Sequence, residues 1–327
     1  MGNLFNLLDN EQFSKFDSLK REQILKNINK IMLEYREKLF IPKEITFGTE
    51  LEFDNCDIKT VKKLLSKFDL KKTWHVKEEP SINEGGEVIS PVLTNTKESW
   101  FNLKKVCEIL KSKASNTELC SAHVHIGSNI LSNDMNEWLN FIYLWSAYEN
   151  IIFRFSYGEF LTPRPNIITF ASPVRVLYEK KYNEALSKCY SLQKLLDNLN
   201  FRRDMAVNFK NVDIDFEKIS KNTIEFRCPN GTFDEVIWQN NINLFINLLL
   251  YSKNKNFDLD KVKYRNEKAK LLSSNTLYYN EIYLDDALEL ADLIFNTNID
   301  KIYFLRQYLK NYQISYESLK LAKKFTK

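Results

Sequence analysis

Short segments of the chain alternate apolar side chains with charged or histidine side chains at a period of two. This is the period of a β-strand, in which successive side chains point to opposite faces of a sheet. In segment 45–53, Phe47 and Leu51 share one face, whereas Glu50 and Glu52 share the other. The other segments that the pattern predicts as strands are 72–79, 87–93, 122–126 and 222–228. We therefore expect a sheet with one apolar face and one charged face.

Acidic residues dominate the charged face of the predicted sheet. The side chains on that face are Glu50, Glu52, Lys77, Glu79, Glu87, His123, His125, Glu225 and Arg227. The simplest interpretation is an antiparallel sheet with one solvated side. Glutamate is uncommon in strands, however, and neighbouring carboxylates repel one another, so this surface requires cations or protonated acids. Carboxylate oxygens suit magnesium or manganese, and magnesium commonly joins protein carboxylates to phosphates.

The basic residues and histidines of this face each have two interpretations. Lys77 and Arg227 fit a site that holds metal ions and anionic phosphates. An ion pair with Glu225 explains Arg227 equally well. His123 and His125 are candidate metal ligands, or they are a pair of hydrogen-bonded core histidines.

Helical periodicity appears between and after the predicted strands. The segments with that periodicity are 60–68, 96–112, 134–155 and 235 to the end, with a break near 273–275. Residues 1–40 also carry apolar positions at helical spacing, with Ser18 as N-cap and Pro42 as the stop. We expect a helical lead-in over 1–44, a sheet domain over 45–250 and a helical extension over 251–327 packed on the same domain. The predicted fold class is α+β.

Composition excludes several classes of protein. Neither a P-loop nor a GxGxxG fingerprint occurs, and 47 basic against 43 acidic residues is too even a balance to indicate a nucleic-acid partner. The five cysteines are odd in number and lack a CxxC pair, which indicates reduced thiols and a cytoplasmic protein. We see no signal peptide and expect no membrane partner, because polar residues interrupt the apolar stretches.

Five short motifs, in order, resemble those of the amidoligase family. They occupy 47–53, 74–81, 86–93, 120–127 and 223–227 with 230–232. The resemblance runs from about residue 45 to about residue 250. The family is similar to the carboxylate–amine ligases, whose catalytic fold is like that of glutamine synthetase.

The resemblance implies a curved antiparallel sheet with flanking helices, whose concave face binds ATP and magnesium, or manganese in its place. The implied enzyme forms a C–N bond and is not of the ATP-grasp type. A substrate carboxylate takes the γ-phosphate of ATP to become an acyl phosphate, and an amine then displaces phosphate to form an amide or isopeptide bond. The implied substrates are an amino acid, a peptide or a related molecule. The oligomeric state is left open.

The resemblance also implies roles for individual residues. The implied metal ligands are Glu50, Glu52, Glu87, Glu225 and His125. The implied cofactor-binding residues are Arg227, Lys77, His123, His125 and Ser81. The implied catalytic residues are Arg227, Lys77 and Glu79, although Glu79 stands where the family usually has aspartate. Weaker candidates, placed by their position between motifs, are Arg154, Arg164 and Asn208.

Two other functions compete with the ligase. The first is a metal-dependent hydrolase or oxygenase built on His123, His125 and a glutamate, which predicts a bound transition metal and no need for ATP. It leaves Glu50, Glu52 and Arg227 unexplained. The second is a non-catalytic relative that keeps the sheet, against which the full set of acidic and basic positions counts.

Overall fold

The structure is a computed structural model that describes residues 28, 31–158, 160–165, 167–177, 191–199, 203–213, 222–269 and 283–310. Its strands are β1 (Thr46–Phe53), β2 (His75–Lys77), β3 (Gly86–Ile89), β4 (Leu93–Thr94), β5 (Ala122–Gly127), β6 (Val207–Asn211) and β7 (Thr223–Phe226). Its helices are α1 (Ile58–Lys67), α2 (Lys97–Lys113), α3 (Met135–Ser156), α4 (Ile167–Phe170), α5 (Val174–Leu177), α6 (Leu192–Leu199), α7 (Glu235–Ser252), α8 (Leu259–Ala269), α9 (Leu284–Ile294) and α10 (Asn298–Leu309). Short 3-10 helices occupy Leu70–Lys72 and Ser128–Ile130.

The described strands form one open antiparallel sheet. Its order is β2-β3-β1-β5-β7-β6, and β4 pairs with the start of β1. The registers place Glu50 opposite His123, Glu52 opposite Glu87, and His125 opposite Glu225. The predicted combination of helices with an antiparallel sheet, and hence the α+β class, is confirmed. The pairing brings the polar residues of separate motifs side by side on one face.

The other face of the sheet packs against helices through large aromatic side chains. Phe226 of β7 stacks on Phe245 of α7 at 4.3 Å between ring centroids and lies 5.6 Å from Trp145 of α3. Phe47 of β1 stacks on Trp100 of α2 at 4.8 Å. Such offset aromatic pairs add to the free energy of burying their area. The helical layer therefore holds the sheet rigid behind its polar face.

Side-chain caps set the starts of several helices. Asp57, Thr96, Asp134, Asp234 and Thr297 each accept a hydrogen bond from a backbone N–H in the first turn of the following helix. These bonds satisfy donors that have no partner within the helix. The helices predicted at 60–68, 96–112 and 134–155 are confirmed to within a few residues. Within α3 the backbone at Tyr148 departs from helical geometry.

The helix predicted for residues 1–40 is wrong where the structure describes this segment, because residues 31–40 are irregular. Their backbone groups bond to distant side chains instead of to one another. Arg36 donates its N–H to Gln239 at 3.0 Å, and Tyr303 donates its hydroxyl to the carbonyl of Glu34 at 3.2 Å. Asn95 bonds both the N–H and the carbonyl of Leu39. Tertiary hydrogen bonds thus replace the local helix; most of residues 1–30 lie outside the described part.

Other boundaries also differ from the sequence prediction. The strand predicted at 72–79 is only three residues long, and the one at 87–93 is divided into β3 and β4. Strand β6 was not predicted at all. Over residues 235–269 and 283–310 the predicted helical C-terminal region is confirmed, and there it divides into α7–α10. The break predicted near 273–275 and the last residues of the chain lie outside the described part.

The C-terminal helices pack on the helices that cover the sheet. Phe155 of α3 stacks on Phe304 of α10 at 5.0 Å, and Asn240 of α7 donates to Gln307 at 2.9 Å.

Cys107, Cys120 and Cys228 are buried free thiols and Cys56 is a half-buried one, while Cys189 lies outside the described residues. In the part of the chain that the structure describes, none of the helices has the length and apolar character to cross a membrane.

Replacing Asn95 with alanine is expected to destabilise the fold. Its amide accepts bonds from Leu39 N–H and Trp100 Nε1 and donates to the carbonyls of Leu39 and Ile41, all within 3.0 Å. In Asn95→Ala these buried groups lose their hydrogen-bond partner, so the free energy of unfolding should fall by about 2–4 kcal/mol. Urea denaturation measures this change, with the exposed Asn133→Ala as control. Equal stability of the two variants would contradict the role assigned to Asn95.

Candidate active site

A cavity of about 730 Å³ lies over the polar face of the sheet. The predicted site residues that line it are Glu50, Glu52, Lys77, Glu79, Ser81, Glu87, His123, His125, Glu225 and Arg227. Two weaker candidates, Arg164 and Asn208, line it as well. Arg154 does not, since its side chain lies among the helices, with its guanidinium 5.6 Å from the ring of Tyr308. The antiparallel pairing thus gathers all five motifs at one cavity.

Glu50 lies at the centre of this cavity. Its Oε2 is 3.0 Å from Nδ1 of His123, and its Oε1 is 3.2 Å from Nε2 of His125. These distances follow from the β1–β5 register, which sets Glu50 directly opposite His123 and one diagonal step from His125. Burial alone would raise the pKa of Glu50, but the hydrogen bond with His123 and the close approach of His125 outweigh it and lower the pKa below its ordinary value. Glu50 is therefore an ionised carboxylate shared by two imidazoles.

The first cluster of potential metal ligands consists of Glu50, Glu87 and His123, whose ligand atoms lie within 4.8 Å of one another. Oε1 of Glu87 is 2.5 Å from Nζ of Lys77, whereas its Oε2 is buried and has no hydrogen-bond partner. Burial, followed by the nearby charge of Glu50, raises the pKa of Glu87. A buried carboxylate oxygen without a partner is unfavourable, and a bound cation would relieve both effects.

The second cluster consists of Glu50, His125 and Glu225, again with ligand atoms within 4.8 Å. Glu225 accepts hydrogen bonds from Arg227 at 2.5 Å and from Asn208 at 2.8 Å. Burial would raise the pKa of Glu225, but His123 and then Arg227 lower it. The ion pair between Arg227 and Glu225, one of the two interpretations open from sequence, is thus present. It also places the guanidinium at the cavity wall.

The donor set of both clusters fits divalent cations. Each cluster offers two carboxylates and one imidazole, and Glu50 belongs to both. Carboxylate oxygens suit magnesium and manganese, and an imidazole is compatible with manganese and zinc. The two histidines fall into different clusters, and Glu50 is the carboxylate that both of them approach.

Glu52 lines the cavity but belongs to neither cluster. Its Oε2 accepts the backbone N–H of Ser121 at 2.6 Å, and its Oε1 accepts the hydroxyl of the same serine. That hydroxyl is also 3.1 Å from Nε2 of His123. Glu52 therefore positions Ser121 directly, and Ser121 in turn positions the His123 ring. Metal ligation by Glu52 stays a prediction.

Two further predicted residues hold the edge of the cavity. Oε1 of Glu79 accepts a hydrogen bond from the hydroxyl of Ser81 at 2.9 Å, which closes the turn after β2. Arg164 is buried, and its guanidinium donates to the backbone carbonyls of Pro229 and Arg227. Burial lowers the pKa of Arg164 to about 10. Arg164 thus links the loop between α3 and α4 to the residues that follow β7.

Several cavity residues were missed from sequence. They are Pro80, Leu119, Ser121, Pro165, Phe170, Arg203, Lys210 and Asn211. A signal for β6 did exist, since Val207 and Phe209 alternate with Asn208 and Lys210 at the strand period. Ser121 had no such signal, because its role depends on where β5 begins beside Glu52.

The fold and site define an enzyme-like cavity with an acid–histidine centre on an antiparallel sheet. Residues 68–249, more than half of the chain, match the family model described as "Putative amidoligase enzyme". The chain belongs to this amidoligase family, as the motifs predicted. The match begins after β1, so Glu50 and Glu52 lie outside it and join the site through strand pairing. No curated protein matches the chain significantly.

Divalent cations are expected to stabilise the wild-type protein through the two clusters. A ligand at 100 times its Kd adds about 2.7 kcal/mol to the free energy of unfolding. Mn²⁺ should therefore raise the Tm by several degrees, and Glu50→Gln should abolish this rise because Glu50 belongs to both clusters. Calorimetry measures both, with the exposed Glu44→Gln as a charge-matched control. An undiminished Mn²⁺ effect in folded Glu50→Gln would refute the assignment.

Proposed function

We propose that this protein is an ATP- and magnesium-dependent carboxylate–amine ligase with a glutamine-synthetase-like catalytic sheet. The single observation that supports this most is the position of Glu50 between two acid–histidine clusters, with Lys77 and Arg227 at their borders. Membership of the amidoligase family supports amide-bond formation in general. The open antiparallel sheet is compatible with the proposed fold.

The proposed reaction has two steps. A carboxylate oxygen of the first substrate attacks the γ-phosphorus of ATP and expels ADP, which yields an acyl phosphate. The nitrogen of the second substrate attacks the acyl carbon and expels phosphate, and the nitrogen loses a proton to leave an amide. Catalysis of this kind depends on positioning and on neutralising charge more than on covalent chemistry.

Residues of both clusters would hold the cations, with Glu50 shared between them. Magnesium would supply charge neutralisation on the phosphate oxygens. Lys77 and Arg227 each have one carboxylate neighbour and further N–H donors that can reach phosphate oxygens at the cavity wall. Bidentate geometry makes Arg227 the better candidate for the transferred phosphoryl group.

Glu79 is our candidate for accepting the proton of the attacking amine. It lines the cavity, and Ser81 orients one of its oxygens by a hydrogen bond. Its place in the turn after β2, two residues beyond Lys77, would let it face a substrate that enters beside Lys77. Ser81 would thereby orient Glu79 and also contribute a hydroxyl to nucleotide binding.

ATP binding should require magnesium and Glu50. Isothermal calorimetry of wild-type protein should detect ATP binding with Mg²⁺ and lose it without the metal. Glu50→Gln should lose it too, because each cluster loses a carboxylate, whereas Glu44→Gln should keep it. A folded wild-type protein that binds no ATP up to millimolar concentration, with or without a pool of carboxylates, would sink the proposed function.

Trapping with hydroxylamine tests the acyl phosphate. Hydroxylamine attacks an acyl phosphate to give a hydroxamate and phosphate, so ADP release with hydroxamate formation should appear when the correct carboxylate is present. Glu79→Gln should slow amide formation by about 10²–10⁴-fold if it removes the amine proton, whereas Glu78→Gln on the exposed opposite side should not. ADP release without hydroxamate would indicate a simple ATPase.

A further inference from the structure

Five cationic side chains line the cavity, and the protein itself engages three of them. Lys77 pairs with Glu87, and Arg227 pairs with Glu225. Arg164 donates its guanidinium to two backbone carbonyls. Each of these three cations thus already has a partner within the protein, although Lys77 and Arg227 keep the further N–H donors that the proposed function assigns to phosphate oxygens.

The other two cations, Arg203 and Lys210, are available to a ligand. Both are exposed and line the cavity. Across the ranges that the structure describes, neither forms an ion pair with an acid. Arg203 lies in the turn before β6, and Lys210 lies in β6 two residues after Asn208, which bonds Glu225, where the register of β6 with β7 is irregular.

Their place in the sheet sets their distance from the acid–histidine centre. Strand β6 is the edge strand beside β7, which carries Glu225, and β1 lies two strands beyond β7. At about 4.8 Å between neighbouring strands, β6 is about 5 Å from the Glu225 strand and about 15 Å from the Glu50 strand. Long arginine and lysine side chains can cover several ångströms of that span. The two cations therefore lie on the β6 side of the cavity, whereas Glu50 lies on β1.

Apolar side chains also form part of the cavity wall. Leu119 and Phe170 both line the cavity, and each has 46% of its surface exposed. The carbonyl of Phe170 accepts a hydrogen bond from Nε of Arg227 at 3.3 Å, which ties this wall to the site. An apolar wall suits the aliphatic part of a ligand and strengthens charge interactions next to it, because it excludes water.

We propose that Arg203 and Lys210 bind a second anionic group of the carboxylate substrate. One carboxylate would react at the acid–histidine centre while the other pairs with the two cations, and the carbon chain between them lies along Leu119 and Phe170. The substrate class is then a dicarboxylate, supplied by an acidic amino acid or by an acidic peptide. This inference rests on the proposed ligase function and assigns Arg203 and Lys210 as specificity-determining residues.

Direct binding tests the inference without turnover. Calorimetry of the full-length protein with Mg²⁺ would compare glutarate with its monoamide, both with and without a non-hydrolysable ATP analogue. A short peptide with two glutamates, and free L-glutamate, would distinguish the two sources of the dicarboxylate. The variants are Arg203→Gln/Lys210→Gln, the conservative Arg203→Lys, and the exposed Lys71→Gln as control outside the cavity.

We expect wild type and Lys71→Gln to prefer glutarate, or one of the two acidic ligands, over the monoamide. The double variant should bind the preferred ligand at least about tenfold more weakly, equivalent to about 1.4 kcal/mol. The single variant Arg203→Lys keeps both positive charges and should lose less affinity for the preferred ligand than the double variant. Affinity for the ATP analogue should stay unchanged in all variants.

Three results would overturn the inference. They are no preference for a second carboxylate in the wild type, equal affinity of the double variant, and a loss of ATP-analogue binding in the double variant, which would make the two cations nucleotide ligands. Failure of the proposed function gives a different result, because the wild-type protein would then bind no ATP analogue. Dicarboxylate binding is measured without nucleotide as well, so it tests the role of Arg203 and Lys210 independently.

Discussion

The shared carboxylate of Glu50 is the interaction on which the site depends. Its two oxygens meet two histidines of the neighbouring strand at 3.0 and 3.2 Å, and it is the common member of both ligand clusters. A buried group of acids is unfavourable unless cations or donors balance it. Here imidazoles, Lys77 and Arg227 provide the balance within the protein, and a divalent cation would complete it at the unpartnered oxygen of Glu87.

This arrangement needs a sheet that does not shift its register, since a slip of one residue would turn every polar side chain to the opposite face. The aromatic contacts of Phe226 and Phe47 with the covering helices resist such a slip. The irregular segment 31–40 adds to the rigidity, because Asn95, Gln239 and Tyr303 bond its backbone to helices α7 and α10 and to the start of α2. The helical layer is thus a support that keeps the cavity residues in place.

A large part of the candidate site could be predicted from the sequence, since period-two alternation and the family motifs identified ten of the residues that line the cavity. What sequence could not supply is the pairing of each acid. Glu52 bonds Ser121, whereas Glu50 bonds His123 and lies 3.2 Å from His125, although both acids are on the same face of β1. The difference arises because β5 begins beside Glu52. This depends on the register between two strands, in which Glu52 and Ser121 are 69 residues apart in the sequence. Lys210 was missed because the alternation that marks β6 covers only a few residues, and Arg203 was missed because it lies in the turn before that strand.

The sequence by itself determined the class of the fold, the faces of the principal strands and the membership of the amidoligase family, because alternation, caps and motifs are local properties. The helix predicted from apolar spacing over residues 31–40 is wrong, because side chains more than 200 positions away form hydrogen bonds with this segment's backbone. Only the tertiary structure decided which acids share a cluster, which cations are engaged and which are open to a ligand. Those outcomes depend on strand order and register, and a linear pattern does not contain distances between strands.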